Sequence, residues 1–174
     1  MYIGTESGIY VSEDSGSTFI SFAAGYFDGT SVTAIIEAMG DIWLISESVL
    51  YQVSQAGDII WDSQTHPWGI SGSMCKDSNN NIYGLVFGYP EEKIVKVPMI
   101  APDSFELIEL PSERPQGLYI DEDDYLYVPS SGVVSIRHAQ GTSWENKPFG
   151  FSTVQVITAK EGMRGLTYAV VWHG

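Results

Sequence analysis

Short apolar runs alternate with polar, glycine-rich stretches along the whole chain, and the runs carry a shared mark. An aromatic residue among small or apolar neighbours recurs as Met1-Tyr2-Ile3, Ile42-Trp43-Leu44, Ile82-Tyr83-Gly84, Leu126-Tyr127-Val128 and Thr167-Tyr168-Ala169. The steps between these aromatics are 41, 40, 44 and 41 residues. The phase also holds inside the repeats: Tyr10 follows Tyr2 by eight, Tyr51 follows Trp43 by eight, and Phe19, Trp61 and Trp144 follow their own leading aromatics by 17, 18 and 17. The runs are bounded by Gly, Asn, Asp and Ser, and no long helix-period stretch interrupts them, so strands are predicted throughout.

Labelling the strands of each repeat a to d, the first repeat (1–27) supplies b at Tyr2–Thr5, c at Ile9–Ser12 and d at Thr18–Phe22, with no a strand. The second (28–66) reads as Val32–Glu37, Ile42–Ser46, Leu50–Ser54 and Asp58–Trp61. The third (67–114) reads as Ile70–Cys75, Ile82–Phe87, Lys93–Val97 and Phe105–Leu110. The fourth (115–150) holds an a-turn-b unit over Gly117–Val128, a c strand at Val133–Arg137 and a turn at Gly141-Thr142-Ser143-Trp144; a and b strands follow at Val154–Thr158 and Leu166–Trp172 within 151–174. A period of about 40 to 45 residues with several short strands per unit is that of propeller blades. The expectation is an all-β chain, 1–174 as one domain, forming a small β-propeller of about four blades closed by pairing of its N- and C-terminal strands. One b strand is then surplus, and an unpaired edge invites assembly, so a homo-oligomer is expected.

The c-d turn of the first repeat, Ser12-Glu13-Asp14-Ser15-Gly16-Ser17-Thr18-Phe19, resembles the Asp-box (BNR) repeat, of form Ser-x-Asp-x-Gly-x-Thr-aromatic. The stretch Gly117 to Val128 is similar to the a-turn-b unit of NHL-type propellers. In such a turn Asp14 and the Ser12 and Thr18 hydroxyls can tie down backbone donors, Gly16 can take a positive φ and Phe19 is expected to pack inward. That is a structural role. The turn before Trp144 is a decayed version, with Ala139 where the acid would stand.

Composition narrows the partners. The 174 residues are 44% hydrophobic and 13% aromatic, enough for a packed core. Eight Lys and Arg against 22 Asp and Glu give a net charge of −14, which repels phosphate backbones and anionic membranes, so nucleic acid is not an expected partner. Cys75 is the single cysteine, which leaves no intrachain disulfide and no C-x-x-C zinc pattern. No cofactor or metal is expected. Met1 to Glu6 lacks the basic and apolar regions of a secretory signal, and no run has the length of a membrane span, so neither signal-peptide export nor membrane insertion is expected.

Three blade entrances share a basic-Pro-x-Gly-apolar pattern: His66-Pro67-Trp68-Gly69-Ile70, Arg114-Pro115-Gln116-Gly117-Leu118 and Lys147-Pro148-Phe149-Gly150-Phe151. Crossovers into innermost strands would bring His66, Arg114 and Lys147 around one funnel, where they could hold a carboxylate or phosphate. Tyr26, Phe27, Trp68, Tyr89 and Phe149 would share that face as stacking platforms for sugars. The plainer reading is that Pro and Gly shape the crossover and the basic residue is solvated.

Asp77, Asn79 and Asn81, like Asp121 and Asp123, have the alternate spacing of a calcium loop, but Ile82 stands where its glycine belongs and the bidentate Glu is absent. They are expected in a-b hairpin turns. A sialidase-like glycosidase would need converging arginines, and Arg114, Arg137 and Arg164 fall on different parts of the repeats. His66, His138 and His173 come without a Gly-x-Ser-x-Gly elbow. The favoured function is a non-enzymatic interaction or assembly module, for instance a structural or decorating component of a particle such as a phage virion. The alternatives are a glycan-binding receptor module and a reduced sialidase-like hydrolase.

Overall fold

The computed structural model describes residues 1–66, 68–87, 91–111, 115–130, 132–148, 156–161 and 167–171, the last two segments by their backbone. Among the described residues every regular element is a strand. The first sheet has three strands in the order β1 (Tyr2–Thr5), β2 (Gly8–Val11) and β3 (Ile20–Ser21). The second has four, β4 (Val32–Ala38), β5 (Asp41–Ser46), β6 (Val49–Val53) and β7 (Ile59–Asp62). The third follows the same plan with β8 (Gly69–Lys76), β9 (Asn81–Phe87), β10 (Lys93–Pro98) and β11 (Glu106–Glu109). The fourth contains β12 (Tyr119–Ile120), β13 (Tyr125–Ser130), β14 (Val133–His138) and β15 (Glu145–Pro148). Finally β16 (Val156–Glu161) and β17 (Thr167–Val171) pair with each other as a two-stranded sheet.

The first two turns of the second sheet are two residues long and carry residues that accept left-handed backbone. Met39 and Gly40, at φ 56° and 85°, join Ala38 to Asp41, and Glu47 and Ser48, at φ 50° and 66°, join Ser46 to Val49. Two consecutive positive φ values match the right-handed twist of the strands they connect.

The chain falls into two compact units, Met1–Met74 with Val86–Tyr89 and Cys75–Leu85 with Pro90–Gly174, the third sheet contributing to both. The core of the first gathers Ile9, Phe22, Phe27, Val32, Ile42, Leu44 and Val53. That of the second gathers Tyr83, Leu85, Ile94, Ile108, Leu118, Ile120, Leu126, Val128 and Ala139. The b strands of the second and third sheets lie deepest: Ile42, Trp43, Leu44 and Ile45 are 0–1% exposed, and Ile82, Tyr83, Leu85 and Val86 are 0–2% exposed. Burial on both faces explains why these strands read as continuous apolar runs instead of alternating ones.

Two expectations are corrected here. Phe19 does not pack inward; it is 39% exposed, and Phe22 takes the buried place, meeting Tyr2 edge to face at 5.0 Å. The cause is local: the Thr18 amide and hydroxyl are both held by Asp14, so the strand expected over Thr18–Phe22 starts only at Ile20. Lys147 does not stand in a crossover loop. It lies within β15, the edge strand of its sheet, opposite Val134.

Candidate functional site

Three carboxylates, Asp14, Asp77 and Asp121, each accept three or four hydrogen bonds within their own turns or from the strand that follows, and a fourth, Asp124, links two turns. Asp14 Oδ1 accepts the Ser12 hydroxyl and the Thr18 amide, both at 2.8 Å, and Oδ2 accepts the Thr18 hydroxyl at 2.7 Å. Ser12 Oγ in turn accepts the Gly16 amide at 2.7 Å, while Ser15 and Gly16 carry φ of 60° and 91° to bring these donors round. Donors from Thr18 and then Ser12 favour the ionised form, so the Asp14 carboxyl is held down at about 2.

The a-b turns of the third and fourth sheets repeat one device. Asp77 Oδ1 accepts the amides of Asn79 (3.0 Å) and Asn81 (2.8 Å), and Oδ2 accepts the Asn81 side-chain amide (2.7 Å) and the Tyr83 hydroxyl (3.0 Å). Asp121 Oδ1 accepts the amides of Asp123 (3.1 Å) and Tyr125 (2.8 Å), and Oδ2 accepts the Tyr127 hydroxyl at 2.7 Å. Burial, and then Asp77 and Asp121 respectively, push the Tyr83 and Tyr127 phenols up from their ordinary values. The alternate spacing that suggests calcium ligands serves instead to put successive amides on the first acid of each turn. Asp124, 8% exposed, joins the two turns by accepting the amide of Ser78 at 2.8 Å.

The aspartate six residues before the leading aromatic is a structural pattern that sequence reading missed. Its signal is visible as Asp77 to Tyr83 and Asp121 to Tyr127. Nothing in the sequence points to Ser78 and Asp124 as partners.

The expected ligand face fares differently. Tyr26 is 57% exposed and available at the surface. Trp68 is 4% exposed and Phe27 2%, so neither is a platform for a sugar; Phe27 packs edge to face on Tyr51 at 5.0 Å. His66 is half-buried and lies parallel to Trp68, ring centres 5.2 Å apart, with Trp61 at 5.8 Å on the other contact and Trp43 beyond it, 6.1 Å from Trp61. The His66-Pro-Trp68 entrance therefore feeds an aromatic cluster inside the first unit. Lys147 is exposed and ion-paired with Glu145 two positions along the same strand, an arrangement that neutralises it locally. Tyr89, Arg114 and Phe149 lie outside the described residues, as do Arg164 and His173.

Of the remaining basic groups, the Arg137 guanidinium sits over the Trp144 ring at 5.8 Å. His138 meets Tyr125 edge to face at 5.3 Å and accepts the Gln140 amide on Nδ1 at 3.2 Å. Cys75 packs beside the core of the second unit, and burial, with Asp77 nearby, pushes its thiol up. No described helix is long and apolar enough to cross a membrane.

No family model and no curated protein matches the chain. Solved structures do resemble it. Streptogramin B lyase superposes with a TM-score of 0.72 at 16% identity, over 95% of this chain and 56% of that one. The extracellular domain of the putative one component system BT4673 from B. thetaiotaomicron gives 0.67 at 19% identity, over 91% and 24%. Kluyveromyces lactis Hsv2 gives 0.62 at 11%, over 94% and 53%. The chain thus spans from about a quarter to just over half the length of these structures. At such identities the likeness speaks of fold alone, and with the successive antiparallel meanders it establishes a β-propeller-like, all-β architecture.

Proposed function

We propose that the chain is a non-enzymatic interaction module built on propeller blades. The observation that carries this reading is the employment of the acids: Asp14, Asp77 and Asp121 each accept three or four hydrogen bonds from their own turns. A carboxylate so saturated is a poor base and a poor metal ligand, because each bond to the charged form must be broken before it can take a proton or an ion. Assembly with other proteins, as in a structural or decorating part of a particle such as a phage virion, is the form of this function that suits repeated sheets with open edges.

Incubation of the folded chain with a panel of sialosides and neutral aryl glycosides tests it. No turnover is expected. Turnover that disappears in Asp77→Asn or Asp121→Asn while the fold is retained would overturn the reading in favour of a hydrolase. The exposure of Tyr26 supports a second reading, a glycan-binding module. In that case an immobilised glycan retains the protein, and Tyr26→Ala releases it at unchanged thermal stability; equal retention of both proteins removes this reading.

A further inference from the structure

Near the end of the c strand in each of the first four sheets, one residue stands opposite the position before the leading aromatic. In the first two sheets it is Ser12, against Met1, and Val53, against Ile42. In the third, the Met99 amide donates to the Asn80 carbonyl, as the Ala139 amide does to the Asp124 carbonyl in the fourth. Antiparallel register then sets Val97 against Ile82, as Arg137 is set against Leu126. Ser12, Val53 and Val97 are 0–3% exposed. Arg137 is therefore a cation at a place where the other sheets bury a small side chain, and such departures from a local rule gather at functional sites.

The turn that follows departs in step. Ser12 to Phe19 and Arg137 to Trp144 both span seven residues, with Gly16 answering to Gly141 and Thr18 to Ser143. Asp14, whose carboxylate accepts the Ser12 hydroxyl and both Thr18 donors, answers to Ala139. The fourth sheet has thus lost the acid of this turn and carries an arginine where the first has the serine that the acid holds.

The Arg137 guanidinium lies over the Trp144 ring at 5.8 Å; the side chain is half-buried, and its Nε is covered without an acceptor. A buried donor left unpaired is costly and calls for an explanation. Lys93, Lys96 and Lys147 each have a glutamate partner, whereas Arg137 has no ion pair among the described residues. A guanidinium presents a planar fork of donors that a carboxylate matches with two parallel bonds. A phosphate dianion fits less well, because one cation leaves its second charge in the field of a chain of net charge −14.

We propose that Arg137, backed by Trp144, is the receptor for a carboxylate from outside the chain, taken by Nε–H and the terminal N–H beside it. The external group replaces the acid that this turn lacks. Its source is either an acidic side chain of a partner protein or a free organic acid, and only the first of these rests on the reading of the chain as an interaction module. The rival role for Arg137 is internal: its charge reaches the Tyr83 phenol, which donates to Asp77.

Nitrogen-15 NMR of the whole chain, titrated with sodium acetate against sodium chloride at equal ionic strength, reads the Arg137 Nε–H directly. Arg137→Val identifies the signal by its absence, and it is expected to fold because Val53 and Val97 already serve at that place. The expected result is a saturable shift with acetate alone, a melting temperature raised by acetate in the parent but not in Arg137→Val, and binding at least about tenfold weaker in Arg137→Lys, which keeps the charge and loses the fork. No shift with acetate overturns the proposal, and a melting temperature of Arg137→Val well below the parent would then assign Arg137 to the Tyr83–Asp77 pair. An acetate response retained by Arg137→Val overturns it as well, and tighter binding of inorganic phosphate overturns the choice of a carboxylate. Acetyl-Gly-Glu-Gly-amide, its Gln counterpart and galacturonate separate the sources: tighter binding of the Glu peptide assigns a protein partner, and tighter binding of galacturonate a free acid. Glycoside turnover by a protein that keeps the acetate response would remove the non-enzymatic reading and leave the Arg137 site standing.

Discussion

Asp124 accepts two hydrogen bonds from Ser78, one from the backbone amide at 2.8 Å and one from the hydroxyl at 2.5 Å, across 46 residues of chain. The pair ties the a-b turn of the third sheet to that of the fourth. Asp124 can do this because its backbone sits at φ 61°, a left-handed conformation that aspartate and asparagine tolerate. Asp124→Asn keeps that backbone and loses the charge, so a fall of about 1–3 kcal/mol in unfolding free energy is expected. Ser78→Ala removes the hydroxyl bond and is expected to cost about 1 kcal/mol, and the double variant less than the sum, since both substitutions act on that bond. Urea denaturation of the four proteins measures the coupling. Strict additivity would show that the two turns do not share these bonds.

The paired phenols make a second test. Tyr83 is fully buried and its hydroxyl has Asp77 as acceptor, whereas Tyr127 is partly exposed on Asp121. Tyr83→Phe is expected to lose about 1.5–3 kcal/mol, the range for a bond to a charged group, and Tyr127→Phe less, because water can replace its donor. Equal losses in denaturant melts would contradict the difference in burial.

Alkaline pH probes the same phenols. Their folded pKa values are raised above 10.0, so the folded state resists ionisation that the unfolded chain undergoes freely. Their contribution is fully present below pH 10.0 and is lost as pH rises beyond it. Melting temperature should therefore fall above that point, and fall less steeply in the double Tyr83→Phe, Tyr127→Phe variant. A parallel decline in both proteins would dismiss the linkage.

Asp14 titrates in the opposite direction. Its folded carboxyl is lowered from 3.8 to about 2, so the stability it adds is present above pH 3.8 and disappears as pH falls towards 2. Asp14→Asn is expected to melt below the parent protein near neutrality, with the gap closing in that acid window. A gap that stays constant down to the bottom of the window would show that the charge is not what holds the turn.

Gly4 carries a steric prediction. A Cβ built there would come 2.6 Å from the Val32 carbonyl oxygen, a backbone atom that cannot swing aside. Gly4→Ala must push β1 away from β4, and a loss of about 1–3 kcal/mol is expected from such overpacking. A melt unchanged from the parent would mean that the two strands separate without cost.

The strand plan was legible in the sequence. Aromatic spacing placed Tyr2, Trp43, Tyr83 and Tyr127 on strands, with turn residues between them, because period and punctuation are local properties. The Ser12 to Thr18 turn was readable for the same reason: its donors and its acceptor lie within seven residues. Even the link from Asp77 to Tyr83 left a trace, a fixed offset of six in two repeats.

What the sequence could not decide was which aromatic is inside and which charge is engaged. Phe19 and Phe22 are alike in hydrophobicity, but Asp14 holds Thr18 out of the sheet and so sends Phe22 to the core. Trp68 reads as a platform for a ligand in the sequence, but it is buried with the His66 ring stacked on it. Lys147 looked like a free cation until Glu145 proved to share its strand. Ser78 and Asp124 carried no sequence mark at all, since their meeting depends on where two hairpins come to rest after folding. Local chemistry determined the strands and the turns; the fate of each exposed or buried side chain was decided by tertiary packing, because burial is a property of neighbours brought from elsewhere in the chain.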